Sequence, residues 1–131
     1  MAIRSLWGEL PPADAVSTPI TVLREQASLL QEISGGLLKG LVGANSVASN
    51  MQLHLYVQVP ALNNYIFQLA SVSHNPVQVY PAKVEGMNTS NTGEVKDQQE
   101  FERWLENLLS SGEVKKVLQS LMSQARSTES E

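Results

Sequence analysis

His54, His74, Tyr56 and Tyr80 are the side chains of this sequence best suited to chemistry, and their neighbours decide what kind. A catalytic histidine needs a carboxylate to orient it and a nucleophile or substrate to act on. His54 stands instead among Gln52, Tyr56 and Gln58, and between Gly40 and Ala82 there is no Asp, Glu, Lys or Arg at all. A carboxylate would have to arrive through the fold, from Glu25, Glu32 or Glu100. His54 is therefore expected to be a structural or interface residue, and His74, in Ser-His-Asn-Pro, a turn residue. The chain has no cysteine, and two histidines without a third ligand make a poor zinc site, so neither a metal nor a cofactor is expected. Gly35, Gly36, Gly40 and Gly43 lack the spacing and the strand-to-helix context of a phosphate loop and read as helix ends and turns.

The uncharged stretch is the feature with a functional slant. At the chain-wide charged fraction of 17% it would hold roughly seven charges. A half-exposed sheet ordinarily carries charge on its wet face and edges. Here Gln, His, Tyr, Asn and Ser take those places. If Leu53, Leu55 and Val57 face the core, the other face collects Gln52, His54, Tyr56 and Gln58. Neighbouring strands are then expected to add Ile66, Gln68, Ala70 and Val72, followed by Gln78, Tyr80 and Ala82. Charge depletion with tyrosine retained is the composition of interface centres. The chain's own helices covering that face would give the same composition.

The elements that position these residues follow from periodicity and punctuation. Residues 1–17, with Leu6, Trp7 and Leu10 ahead of Pro11 and Pro12, read as an arm, either a strap over part of the core or a linear motif that docks elsewhere. Thr18-Pro19 opens a helix with a stripe of Ile20, Leu23, Ala27, Leu30, Ile33 and Leu37, and Gly35-Gly36 ends it. A first strand is expected over 37–42, with a turn at 43–46. Met51–Val59 alternates apolar and polar residues throughout and is the clearest strand. Further strands are expected at 65–72 and 77–84, with Pro81 favouring an edge, and a loop over 85–96. Asp97 with Glu100 forms a capping signal for a helix with the stripe Phe101, Trp104, Leu105, Leu108 and Leu109. Ser110 with Glu113 precedes a last helix ending near Ala125.

These elements predict an α+β domain over 18–125: an N-terminal helix, an antiparallel meander of three to four strands, and two C-terminal helices packed on the sheet. Residues 126–131 are expected to be a disordered tail. Net charge is −4, the charges of the last helices are interleaved in sign, and no apolar run is long enough to cross a membrane, so neither nucleic acid nor membrane is the expected partner. The absence of cysteine fits a reducing compartment and the cytoplasm. Asn88-Thr89-Ser90 matches a glycosylation sequon but carries little weight without a secretion signal. The expected function is a small soluble non-enzymatic protein-binding module, a homodimer or an inhibitor- or immunity-type partner. Its expected binding residues are Gln52, His54, Tyr56, Gln58, Gln68 and Tyr80. The alternative is a small-ligand binder with a pocket between sheet and helices, lined by His54, Tyr56 and Tyr80.

Overall fold

The alternating run at 51–59 becomes the second strand of a five-stranded antiparallel sheet in the order β1-β2-β3-β4-β5. A computed structural model describes residues 4–13, 17–87 and 92–129. The elements are α1 (Pro19–Ile33), β1 (Lys39–Val47), β2 (Asn50–Val59), a 3-10 turn (Pro60–Leu62), β3 (Tyr65–His74), β4 (Ala82–Glu85), β5 (Gly93–Val95), α2 (Gln98–Leu109) and α3 (Gly112–Glu129). The chain is thus α+β, with one helix, an antiparallel meander and two further helices, and five strands where three to four were expected.

Helix termini are where residue types act most directly. Thr18 keeps extended backbone geometry and Pro19 takes the first helical position of α1. At the other end Gly36 N–H donates to Gln31 O (2.9 Å) and Gly35 N–H to Glu32 O (3.1 Å). Both glycines have positive φ, 65° and 85°, so this is the left-handed ending that a residue with a Cβ resists. The buried Ser34 hydroxyl then accepts from Leu38 N–H (3.1 Å) and ties the helix end to the approach of β1. Asp97 accepts from Glu100 N–H (2.8 Å) while Glu100 accepts from Lys96 N–H (3.0 Å), so α2 starts where the capping signal places it. The cap of α3 is one residue later than expected. Ser111 Oγ accepts from Val114 N–H (3.3 Å), and Ser110 instead turns back to the Glu106 carbonyl (2.6 Å).

Four other expectations are corrected. The residues 43–46, turn-like in composition, continue β1, because they pair with the strongly patterned β2 up to Val47↔Asn50. The chain reverses at Ala48-Ser49, with Ala48 at φ 56°. The strand expected from Val77 begins only at Ala82. Asn75 Oδ1 captures the N–H groups of Val77 (2.8 Å) and Gln78 (3.1 Å), donors that a strand would have needed. Part of the expected 85–96 loop is β5, which pairs with β4 from Ala82↔Val95 to Val84↔Gly93; Asn88-Thr89-Ser90 lies outside the described residues. Helix α3 passes Ala125 and runs to Glu129, since Arg-Ser-Thr-Glu contains no helix breaker and Ser127 and Thr128 hydroxyls bond to the Ser123 and Gln124 carbonyls.

One face of the sheet carries the core. Leu53, Leu55, Val57 and Val59 of β2 are buried together with Val72, Ala82 and Val84 of the neighbouring strands. Leu23 and Ala27 of α1, Phe101, Leu105 and Leu108 of α2, and Val114, Leu121 and Ala125 of α3 complete a single cluster with them. The helices therefore share that face. The described part of the N-terminal arm does not strap it: Leu6 and Trp7 are 84% and 81% exposed.

Candidate functional site

Among the described residues no helix packs on the opposite face of β1, β2 and β3, which is open. Register fixes its members, because residues directly paired in an antiparallel sheet point the same way. Lys39, Leu41, Gly43 and Asn45 of β1 pair with Gln58, Tyr56, His54 and Gln52 of β2. On the other side Gln52, His54, Tyr56 and Gln58 pair with Ser73, Ser71, Gln68 and Ile66 of β3. The four β2 side chains are half-buried, and Ile66 and Gln68 are exposed. From Leu41 to Ser73 this surface has no charge. Lys39 closes one end, and Lys83 and Glu85 of β4, paired with Ser73 and Ser71, close the far side.

Five of the six expected binding residues meet here: Gln52, His54, Tyr56, Gln58 and Gln68. Two local devices shape the surface. Gly43 leaves room for the Tyr56 ring, whose Cε2 would stand 3.2 Å from a Cβ at that position. The rings of His54 and Tyr56 stack with centroids 5.9 Å apart. His54 Nδ1 is buried without a hydrogen-bond partner among the described residues. Beside it Gln52, His54, Gln68, Ser73, Lys83 and Glu85 surround a depression of about 280 Å³. Glu25, Glu32 and Glu100 sit on the helix layer, behind the other face. Glu85 is the carboxylate that reaches the rim of the same depression. His74 pairs with Met51 and so points to the opposite side of the sheet from His54; its Nδ1 lies 3.1 Å from the Asn75 carbonyl. Among the described residues no three His, Cys, Asp or Glu side chains converge on a metal position.

Three expected members of the face belong to the other side. The ladder slips between Leu55 and Tyr56, so that both Leu69 and Ala70 fall opposite Leu55. This bulge reverses the side-chain parity of β3. Ala70 and Val72 consequently face the helices, while Ile66 and Gln68 remain on the open face. Ala82 is wholly buried on the helix side. Strict alternation cannot foresee a bulge, although the doublet Leu69-Ala70 is its trace in the sequence. Gly43, Ser71 and Ser73 were missed because the extent of β1 and the shifted parity of β3 were not legible, and Leu41 because only the pairing of β1 with Tyr56 fixes its face.

Tyr80 is also on the helix side, half-buried against the core. It leaves the expected group because residues 75–81 do not join the sheet. Its hydroxyl is buried with no hydrogen-bond partner among the described residues. Burial, with Glu102 and Asp97 nearby, pushes its pKa above the ordinary 10.0. The unfolded chain releases this proton at the ordinary value while the folded chain still holds it. Stability is thus intact below that value and lost as pH rises through the folded one. Tyr80→Phe is expected to remove this loss and to gain about 1 kcal/mol at neutral pH by deleting an unpaired hydroxyl. Urea unfolding of both proteins at neutral and alkaline pH checks this; a destabilised Tyr80→Phe at neutral pH would mean that the hydroxyl is hydrogen-bonded.

Between sheet and helices there is a cavity of about 200 Å³, bounded by Leu30, Ile33, Leu55, Leu69, Leu109 and Leu118 among others. None of His54, Tyr56 or Tyr80 lines it, and it is smaller than the roughly 300–1,000 Å³ of typical ligand sites. No helix among the described residues is long and apolar enough to cross a membrane. Comparison with protein-family models, curated proteins and solved structures finds no match.

Proposed function

We propose that this chain is a non-enzymatic protein-binding module of the cytoplasm that docks a protein surface on the open face of β1, β2 and β3. The occupant is a protein partner of inhibitor or immunity type, and not nucleic acid, which a net charge of −4 disfavours. One observation carries the reading: the helices occupy the other face, yet the surface built on Tyr56, Gln58, Ile66 and Gln68 is free of charge. A sheet face that meets only water has no need to exclude Lys and Glu, and excluding them removes the usual protection against association. The stacked His54 and Tyr56 rings supply a flat, half-apolar centre with polar tips, the composition favoured at interface cores.

A lysine placed there tests the reading. Tyr56→Lys and Gln68→Lys each put an unpaired charge into a surface that binding would dry. Binding of the captured protein is expected to weaken by at least about 2 kcal/mol, roughly thirty-fold, with the circular dichroism of the free chain unchanged. Capture from a lysate of the native host is read for both variants and for Gln119→Lys on α3. Equal binding by all three would overturn the proposal.

A further inference from the structure

The two edges of the sheet are protected very differently. The β5 edge has three residues, one of them Glu94, and is followed at once by Lys96. A short, charged strand of this kind is a poor template for another chain. The β1 edge has nine residues, Lys39–Val47, with no proline, no bulge against β2 and no charge after Lys39. Helix α1 sits on its beginning, where Gly40 meets Ala27, and residues 44–47 are exposed. Among the described residues no strand pairs with its outer side.

Backbone geometry says which groups that side presents. Val47 and Asn50 are partners flanking a two-residue turn, and in such a hairpin the flanking pair is the hydrogen-bonded kind, with non-bonded and hydrogen-bonded pairs alternating from there. The N–H and C=O groups of Gly40, Val42, Ala44 and Ser46 therefore point outward.

We infer that β1 is a self-pairing edge: a second copy of this chain adds its own β1 antiparallel to it, joining two five-stranded sheets into one of ten strands. The occupant is a second copy because the strand is complementary to itself. About a two-fold axis at Gly43, Val42 meets the partner copy's Ala44 and Ala44 its Val42, each pair exchanging the outward groups. In the same register Leu41 meets Asn45, and Gly40 meets Ser46. Each Lys39 then lies opposite a Val47, so the two lysines fall at opposite ends of the pairing and no like charges face each other. Both open faces end up on the same side of the enlarged sheet, continuous across the axis. This pairing uses the strand edge and stands whether or not the open face binds a protein.

Ala44→Pro tests the edge. The substitution removes an outward N–H that β2 does not use, at an edge position where proline is tolerated. Wild type is expected to show twice the chain mass of 14.3 kDa by light scattering, and Ala44→Pro the single mass with unchanged circular dichroism. Tyr56→Lys is expected to keep the doubled mass, which separates this inference from docking on the open face. Hydrogen exchange on wild type gives a reading that does not depend on the variant folding: Val42 and Ala44 amides are expected to be slow in the dimer and fast on dilution. A monomeric wild type, a dimer that survives Ala44→Pro, or Val42 and Ala44 amides that exchange freely in the dimer would overturn it.

Discussion

Gly40→Ala is expected to cost about 3 kcal/mol or more, the upper end of overpacking effects, and to leave the chain largely unfolded at modest denaturant. A Cβ at Gly40 would overlap the carbonyl oxygen of Ala27 and stand 2.5 Å from its Cα and 2.7 Å from its Cβ. These are backbone and near-backbone atoms in the middle of α1, so no rotamer change relieves the contact. Relief requires α1 to lift from β1, which would uncover Leu23 and Leu38, both almost wholly buried. Glycine here permits a helix to lie directly on a strand, a role its placement between Lys39 and Leu41 does not announce. Urea unfolding followed by circular dichroism measures the effect. A near-neutral Gly40→Ala would mean that α1 lies farther from the sheet than described.

The second large effect is expected at Phe101. Its ring is fully buried and stacks near Trp104, with centroids 6.1 Å apart. Phe101 comes one turn after the Asp97 cap, so α2 delivers its largest fully buried side chain to the core as soon as it begins. Phe101→Ala removes that ring and leaves a cavity in the core cluster shared with β2, β4 and α3, a change that typically costs about 3–5 kcal/mol. Asp97→Ala, by comparison, loses one cap and is expected to cost about 1 kcal/mol. The same unfolding measurement ranks the two; a Phe101→Ala no worse than Asp97→Ala would remove Phe101 from the core.

The parts of this fold that were legible in the sequence are those with a local cause. Met51–Val59 alternates because one face is buried, and β2 follows it nearly residue for residue. Gly35-Gly36 and Asp97 act within one turn of the chain, and both helix ends fall where they indicate. The illegible parts have causes distant in sequence. The turn at Ala48-Ser49 lacks a glycine or asparagine to mark it, so β1 was expected to stop early. The bulge at Leu69-Ala70 answers to Leu55 on another strand and moves Ala70 and Val72 to the core side. Tyr80 was separated from His54 and Tyr56 by the Asn75 turn, which diverts the chain before a strand can form. The candidate site survived these shifts because it is centred on β2, whose pattern is unambiguous.

The most direct measurement is a hydroxyl-radical footprint of the chain free and assembled with the protein it captures. Tyr56 lies at the centre of the open face, while Ile33 on α1 and Val77 in the segment before β4 lie outside β1, β2 and β3 and are 78% and 94% exposed. Oxidation of Tyr56 and Ile66 is expected to fall several-fold on assembly, with Ile33 and Val77 unchanged. Tyr56 oxidised at the same rate in the free and assembled states, with protection appearing instead at Ile33 or Val77, would contradict the assignment of the open sheet face as the binding surface.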